Sequence, residues 1–206
     1  HNADQIAKLD LHLGDWVWVE KGGEIIPKIT AVDLGRRPIG APTVVFAADC
    51  PDCGTPLERQ NGEAQHFCPN AEHCPPQIKG RIEHFIHRRA MDVDGIGIET
   101  VDRLVDLGWV RTPADLYDLG AAGWARLDKF KEKSVANALA SLEASRSIPY
   151  ERVLFALGIR FVGETVAKKL AKHFKSLEAI QRATFDELIN VDEIGEKIAI
   201  AVQQYF

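Results

Sequence analysis

The feature that most constrains the fold of this 206-residue sequence is a single cluster that contains all four of its cysteines. They follow the spacing C-x2-C-x14-C-x5-C within the stretch from residue 50 to residue 74. A CxxC turn directs two thiolates at one point, and a second pair after a short loop can complete a tetrahedron around zinc. The pattern predicts a structural zinc site with four ligands: Cys50, Cys53, Cys68 and Cys74.

Other uses of these cysteines fit the sequence less well. A disulfide framework is typical of small, cysteine-dense secreted domains, which this chain does not resemble in composition. A redox CxxC with two bystander cysteines, or four unconnected thiols, are the alternatives to the zinc site. His66 and His73 lie near the second pair and could replace a ligand, but four thiolates already complete the shell. We therefore interpret the metal as architectural and both histidines as bystanders.

Length and composition favour a soluble chain of several modules. A chain of 206 residues, 46% hydrophobic, can form one core or two or three small modules, and a metal staple favours small modules. The sequence has neither an apolar run of transmembrane length nor a signal-like start, so we expect no membrane association and a cytoplasmic location. Because it opens with His1 and not with methionine, we also expect it to be part of a longer chain.

The net charge of −5 argues against indiscriminate nucleic-acid binding. Any contact with DNA would therefore need local basic patches. Two stretches supply them, residues 78–91 and residues 159–175, and the first of these includes Arg88 and Arg89.

The coarse pattern changes from β to α along the chain. Residues 15–32 alternate apolar and polar side chains around Gly22 and Gly23, which predicts a β-hairpin, and residues 33–43 are typical of a loop. After residue 74 every periodic segment is helical. Capping signatures mark helix starts near Thr112, Ser176 and Thr184. The first predicted helix has four apolar side chains on one face: Ile78, Ile82, Phe85 and Ile86.

Four helical segments repeat. In each, an apolar residue is followed directly by a residue that is glycine in three of the four copies, with successive spacings of 34, 32 and 32 residues. A regular period of this size predicts stacked units that share a core. The paired positions are Ile96-Gly97, Phe130-Lys131, Val162-Gly163 and Ile194-Gly195.

An apolar residue followed by glycine between two helices describes a helix-hairpin-helix. We expect the apolar residue to plug the turn into the core, and the glycine to reach positive φ and let another surface approach closely. The unpaired N–H groups of the second helix would then bind a duplex phosphate without reading any base. A single copy would be read as an ordinary helix cap, but three copies in register favour DNA binding. The predicted DNA contacts are Gly95, Ile96, Gly97, Arg160, Val162, Gly163, Ile194, Gly195, Arg88 and Arg89.

Two copies depart from this pattern. The second lacks glycine and is either structural or offers Lys129, Lys131 and Lys133 as plain charges. The fourth keeps Gly195 but lies among acidic residues, which puts its phosphate contact in doubt: Asp186, Glu187, Asp192, Glu193 and Glu196.

The order of these features resembles that of the bacterial NAD-dependent DNA ligases. The resemblance rests on "GDWVWVEKGGEIIPK", the four-cysteine module, "RRAMDVDGIG", "TPADLYDL" and "ALGIRFVGETVAKKLA", and it covers essentially the whole chain. It implies a multi-domain, mainly α chain: the end of an OB-fold in residues 1–47, a zinc finger in residues 48–77, and an all-α domain of four helix-hairpin-helix repeats in residues 78–206. The hairpins would lie near residues 94–98, 128–132, 160–164 and 192–196. The family's second hairpin usually carries glycines, so that contact is not carried over.

The resemblance also implies what lies elsewhere. In this family a lysine in a KxDG motif is adenylated by NAD, and a nick is then sealed with the help of magnesium. The 206 residues contain no KxDG, so the adenylation domain and the rest of the OB-fold are expected upstream and a BRCT domain downstream. This portion would grip nicked double-stranded DNA through the minor groove, as a monomer and without catalysing a reaction itself.

Two other functions remain open at this point. The zinc and helix-hairpin-helix modules could serve a topoisomerase or an excision-repair nuclease. A helical scaffold for protein interaction would agree with the acidic net charge but not with glycines that expose the backbone.

Overall fold

The computed structural model describes residues 2–22, 26–59, 63–128 and 130–206. The chain divides into two compact units, the first ending at Cys74 and the second comprising Pro75–Phe206. The predicted boundaries at residues 47 and 77 are finer than this division.

The first unit contains the predicted β-hairpin. After a short helix α1 (Ala3–Lys8), strands β1 (Val17–Gly22) and β2 (Ile26–Val32) pair antiparallel, and a single 3-10 turn (Leu34–Arg36) follows. The register shifts between Trp18 and Val19, which marks a bulge. The prediction of a hairpin over this stretch is confirmed, although Gly23 of the expected turn lies outside the described residues.

Polar contacts join the segments of the first unit. Arg37 donates from Nε to Asp15 Oδ1 at 2.8 Å and from Nη1 to Asp10 Oδ2 at 3.0 Å. Arg59 donates from Nη1 to Asp4 Oδ1 at 2.8 Å. Each arginine is more than 20 residues from its partners in sequence, so these pairs bring distant segments together.

In the described part of the second unit, all regular secondary structure is helical. Its longer helices have apolar residues at intervals of three and four, and its short ones begin at turn and capping residues. The helices are α2 (Pro75–Ile86), α3 (Ile98–Asp106), α4 (Asp115–Asp118), α5 (Gly120–Trp124), α6 (Glu132–Ser145), α7 (Tyr150–Ala156), α8 (Glu164–Phe174), α9 (Leu177–Arg182), α10 (Phe185–Ile189) and α11 (Glu196–Tyr205).

The predicted helix caps are found with one change of geometry. Ser176 Oγ accepts from the Ala179 amide at 3.2 Å, and Thr184 forms a complete capping box with Glu187. At the third start, Asp115 is the first residue of α4 and accepts from the backbone N–H groups of the loop before it, at 2.7 and 2.8 Å. These contacts satisfy N–H groups that would otherwise have no partner at a turn.

Two hydrophobic clusters stabilise the second unit. The first is built on α2, whose Ile78, Ile82 and Ile86 are buried as predicted, with Phe85 partly buried against them. It also encloses Trp124, which is fully buried. The second cluster is built from α7 to α11. Among the described residues, no helix is both long and apolar enough to cross a membrane.

Candidate metal centre and nucleic-acid interface

The four cysteine sulfurs converge on one point. Cys50 Sγ lies 3.9 Å from Cys74 Sγ, Cys53 Sγ lies 3.5 Å from Cys68 Sγ, and all four lie within 4.8 Å of one another. A disulfide would need about 2.05 Å between sulfurs. Tetrahedral zinc with bonds of about 2.3 Å separates its sulfurs by about 3.8 Å, which is close to the 3.9 and 3.5 Å of these two pairs.

Backbone contacts around the cysteines place the sulfurs. In the first turn Gly54 adopts φ +69°, where glycine fits without strain, and its amide donates to the Cys50 carbonyl at 2.9 Å. A pair of 2.8 Å bonds between Glu58 and Phe67 then brings the second half of the module back to the first. The tight turn brings Cys50 and Cys53 together, and the pairing of Glu58 with Phe67 brings the second pair of cysteines back to the first.

The thiols of the two halves have different environments. A hydrogen bond with the Thr55 hydroxyl, 3.2 Å from the sulfur, lowers the pKa of Cys53 to about 6. Burial raises the pKa of Cys68 to about 12. The histidines lie apart from the four sulfurs: the His66 ring packs on Phe46 with centroids 4.7 Å apart, and His73 is exposed.

Four helices of the second unit begin with the same backbone geometry. The residues before α3, α6, α8 and α11 all have φ between −90° and −82° and ψ between 171° and 180°. The apolar residue before each of them packs inward, buried in three copies and partly buried at Phe130, so the plug interpretation is confirmed. The residues with the shared geometry are Gly97, Lys131, Gly163 and Gly195.

The expectation of positive φ at the three glycines is wrong. Their extended conformation is the ordinary one for a residue that precedes a helix, and Lys131 adopts it equally well. The left-handed residues lie two positions earlier, at Gly95, Phe161 and Glu193, with φ of 81°, 67° and 63°. The chain reverses there because the apolar plug that follows must turn into the core; Lys129, the equivalent in the second copy, lies outside the described residues.

The glycines instead leave open space. A Cβ placed on Gly97, Gly163 or Gly195 would meet no atom within 4 Å. The Thr100 and Val101 amides both donate to the Gly97 carbonyl, at 3.0 and 3.1 Å, and the Ala167 amide donates to the Gly163 carbonyl at 2.9 Å. The amides of the first helical residues, before these donors, point out of the helix start and belong to no intrahelical bond. A small anion can therefore approach the backbone at these positions without displacing a side chain.

Three protein-family models match the chain. The OB-fold domain of NAD-dependent DNA ligases matches residues 1–41, and the four-cysteine zinc finger domain of the same enzymes matches residues 49–75. The chain carries domains of the NAD-dependent DNA ligases. A helix-hairpin-helix motif model matches residues 152–206.

Curated relatives agree with this family. Proteins named DNA ligase from Phocaeicola vulgatus, Christiangramia forsetii and Bacteroides fragilis are 57%, 56% and 56% identical to this chain over its whole length. The chain spans about a third, 31%, of the length of each. These matches do not favour the topoisomerase, nuclease or scaffold alternatives.

The basic side chains near these helix starts differ in what they contact. Arg88 and Arg89 are exposed just after α2, and Arg89 Nη1 lies 2.9 Å from Glu164 Oε1, directly after Gly163. Arg160 lies over the Phe161 ring at 4.9 Å. Lys79 lies in the first predicted basic patch, residues 78–91, but it forms ion pairs with two aspartates of α3, at 2.9 and 3.2 Å.

The sequence reasoning did not predict the ion pairs between neighbouring repeats. Lys169 Nζ lies 2.7 Å from Asp192 and 2.9 Å from Glu193, which offsets part of the acidity of the fourth turn. Arg103 pairs with Asp128 of the second turn in the same way. The signal is present in the repeats, because each cation lies six residues after its glycine and each aspartate two residues before its apolar plug.

Proposed function

We propose that this chain is the DNA-gripping portion of an NAD-dependent DNA ligase, which seals single-strand nicks during replication and repair. The observation that carries the proposal is the set of three open glycine positions at equivalent helix starts, in a chain with ligase-family domains. Backbone amides at these positions would bind phosphates regardless of base sequence. Specificity for the nick would come from the rest of the enzyme.

We infer that the cysteine cluster holds one zinc ion. Four thiolates leave no coordination position open, so the metal would fix the fold of the module and supply no catalytic water. The distances between sulfurs and the match to a zinc finger domain support this assignment. The ligands are Cys50, Cys53, Cys68 and Cys74.

The finer organisation is also a proposal. The shared geometry of the four helix starts supports a four-repeat helix-hairpin-helix domain in residues 78–206, after an OB-fold portion in residues 1–47 and a zinc finger in residues 48–77. NAD and magnesium would act at an adenylation domain upstream in the same cytoplasmic enzyme, and a BRCT domain would follow downstream. These 206 residues alone would bind nicked DNA as a monomer and form no covalent AMP adduct.

The test places the same residue at two equivalent turns. Gly163→Gln adds a side chain over an open backbone site, whereas Lys131→Gln removes a charge where a side chain already exists. The extended backbone accepts glutamine at both positions without left-handed strain. Binding of each variant to nicked duplex is measured by fluorescence anisotropy at several salt concentrations, after thermal melting has shown that it is folded.

The two variants should differ in kind. Gly163→Gln should weaken binding although it removes no charge, and the slope of log affinity against log salt should become shallower by about 0.9, the value for one lost phosphate. Lys131→Gln should have a smaller effect on affinity. Binding of the folded Gly163→Gln protein at parental strength and with the parental slope would show that these glycines are helix starts only.

A further inference from the structure

Arg152 of α7 reaches the turn that follows α2. Its Nε donates to the Arg89 carbonyl at 3.3 Å, and its Nη2 donates to the Arg88 carbonyl. The same Nη2 lies 3.7 Å from the Asp92 carboxylate. One guanidinium therefore contacts three residues of a turn that lies some 60 positions earlier in the chain.

The turn has a fixed backbone that these contacts support. The Ala90 and Asp92 amides both donate to the His87 carbonyl, at 2.8 and 3.1 Å, and Asp92 has a left-handed φ of 56°. The two carbonyls that Arg152 contacts accept from its guanidinium, whose several N–H donors can serve both at once. A lysine at this position could not span both carbonyls with a planar fork.

The side chains of this turn lie next to the third hairpin. Arg88 and Arg89 are exposed, and the ion pair of Arg89 with Glu164 brings the turn beside the first residue after Gly163. A cleft of about 360 Å³ opens here, lined by four basic residues and two acidic ones. The basic residues, which outnumber Glu151 and Glu164, are Arg88, Arg89, Arg152 and Lys168.

We propose that Arg152 is a positioning residue for DNA binding that acts through Arg88 and Arg89. It holds the backbone of their turn, so that both guanidiniums are presented beside the open backbone at Gly163. This inference rests on the proposed function, because it presumes that a phosphate is bound at the third hairpin. It goes further by giving Arg152 a role that depends on its shape as well as its charge.

The experiment separates shape from charge. Arg152→Lys keeps the positive charge but loses the fork, and Arg152→Met loses both. Arg182→Lys, at an exposed position of α9, is the matched control for the exchange itself. Affinity for a nicked duplex is measured at several salt concentrations for each protein, and also in an Arg88→Gln/Arg89→Gln background.

Arg152→Lys should bind about fivefold more weakly than the parent, with a salt slope shallower by about one contact, as for a lost arginine–phosphate contact. Arg182→Lys should match the parent. In the Arg88→Gln/Arg89→Gln background, Arg152→Lys should have no further effect, because the side chains through which it acts are gone. Amide hydrogen exchange at Ala90 and Asp92 should be faster in free Arg152→Lys than in the free parent.

Three results would overturn the inference. They are parental binding by Arg152→Lys, an equal loss in both backgrounds, and unchanged exchange at Ala90 and Asp92. The first of these results, together with a loss in Arg152→Met, would make Arg152 a simple charge. If the parent itself fails to bind nicked DNA, it is the proposed function that fails; if the parent binds and Arg152→Lys binds equally well, only this inference fails.

Discussion

In the first unit Cys50 and Cys74, 7% and 2% exposed, are the only buried apolar residues that the structure describes, whereas the second unit encloses two hydrophobic clusters. The first unit is joined by four converging sulfurs and by arginine–carboxylate pairs. A module with so little buried apolar surface needs a metal or another cross-link to remain folded. Two units of one chain thus rely on different physical forces, and each should respond to a different perturbation.

Metal removal should have the largest effect, and it should be confined to the first unit. Apparent zinc-binding free energies of about 10–16 kcal/mol are coupled to folding in small four-ligand modules. We expect one zinc per chain by elemental analysis, and loss of the amide NMR dispersion of residues 48–74 after chelation. The helical circular dichroism of the second unit should persist. Loss of that helical signal on chelation would contradict the independence of the two units, and less than about half an equivalent of zinc would contradict a metal-dependent first unit.

Truncating a core side chain of the second unit should have the opposite selectivity, because it should destabilise that unit and leave the metal site of the first unit intact. Leu104 is fully buried in the first cluster, so Leu104→Ala should destabilise the second unit by about 2–5 kcal/mol. Leu107→Ala, at an exposed position directly after the same helix, is the control and should have little effect. Chemical denaturation followed by helical circular dichroism measures the change. The zinc content should be the same in all three proteins, and a drop in zinc with Leu104→Ala would show that the units are not independent.

A smaller effect is expected from the ion pairs of the first unit. Hydrogen bonds from Arg37 hold the pKa of Asp10 and the pKa of Asp15 below the ordinary aspartate value. The stabilisation is therefore present above the unfolded-state pKa and is lost as the pH falls through the lower folded-state pKa. In Arg37→Met the pKa of Asp15, whose side chain is 2% exposed, should rise. Carboxyl-carbon NMR titration measures it, and an unchanged pKa in the variant would contradict this account.

The smallest effect is expected at the second turn. Because Lys131 has the same extended backbone as the glycines and makes no side-chain cap, Lys131→Gly should change the stability of the second unit by less than about 0.5 kcal/mol. Denaturant unfolding under the conditions used for Leu104→Ala gives the value. A change above about 1 kcal/mol would mean that turn residues contribute to stability on the scale of a helix cap, not only of a surface site.

Features that depend on nearby residues could be predicted from the sequence. The hairpin, the buried face of α2, the Ser176 and Thr184 caps and the convergence of the cysteines are each encoded within about 25 residues. The conformation of the turns was not predictable in the same way. The pattern of an apolar residue followed by glycine does not show which residue reverses the chain, and packing assigns that role to Gly95, Phe161 and Glu193.

Contacts between distant residues were also beyond the sequence reasoning. Nothing near Arg152 indicates that its guanidinium donates to carbonyls of Arg88 and Arg89, because the pairing arises only when α7 packs against α2. The positions of Lys169 and Asp192 follow a regular pattern in the repeats, but that pattern predicts an ion pair only once the two turns are known to lie close together. Side-chain charge read along a chain therefore overestimates how much of it is free to bind a partner.

The extended geometry at Gly97, Gly163 and Gly195 has an evolutionary consequence. Since no left-handed conformation is required there, the backbone accepts residues other than glycine, as Lys131 demonstrates at the equivalent position of the second copy. If these turns bind duplex phosphates as proposed, a substitution at one turn removes one contact with the duplex while the fold keeps its stability. On that proposal, selection could adjust the affinity for DNA one turn at a time, with the same architecture kept throughout.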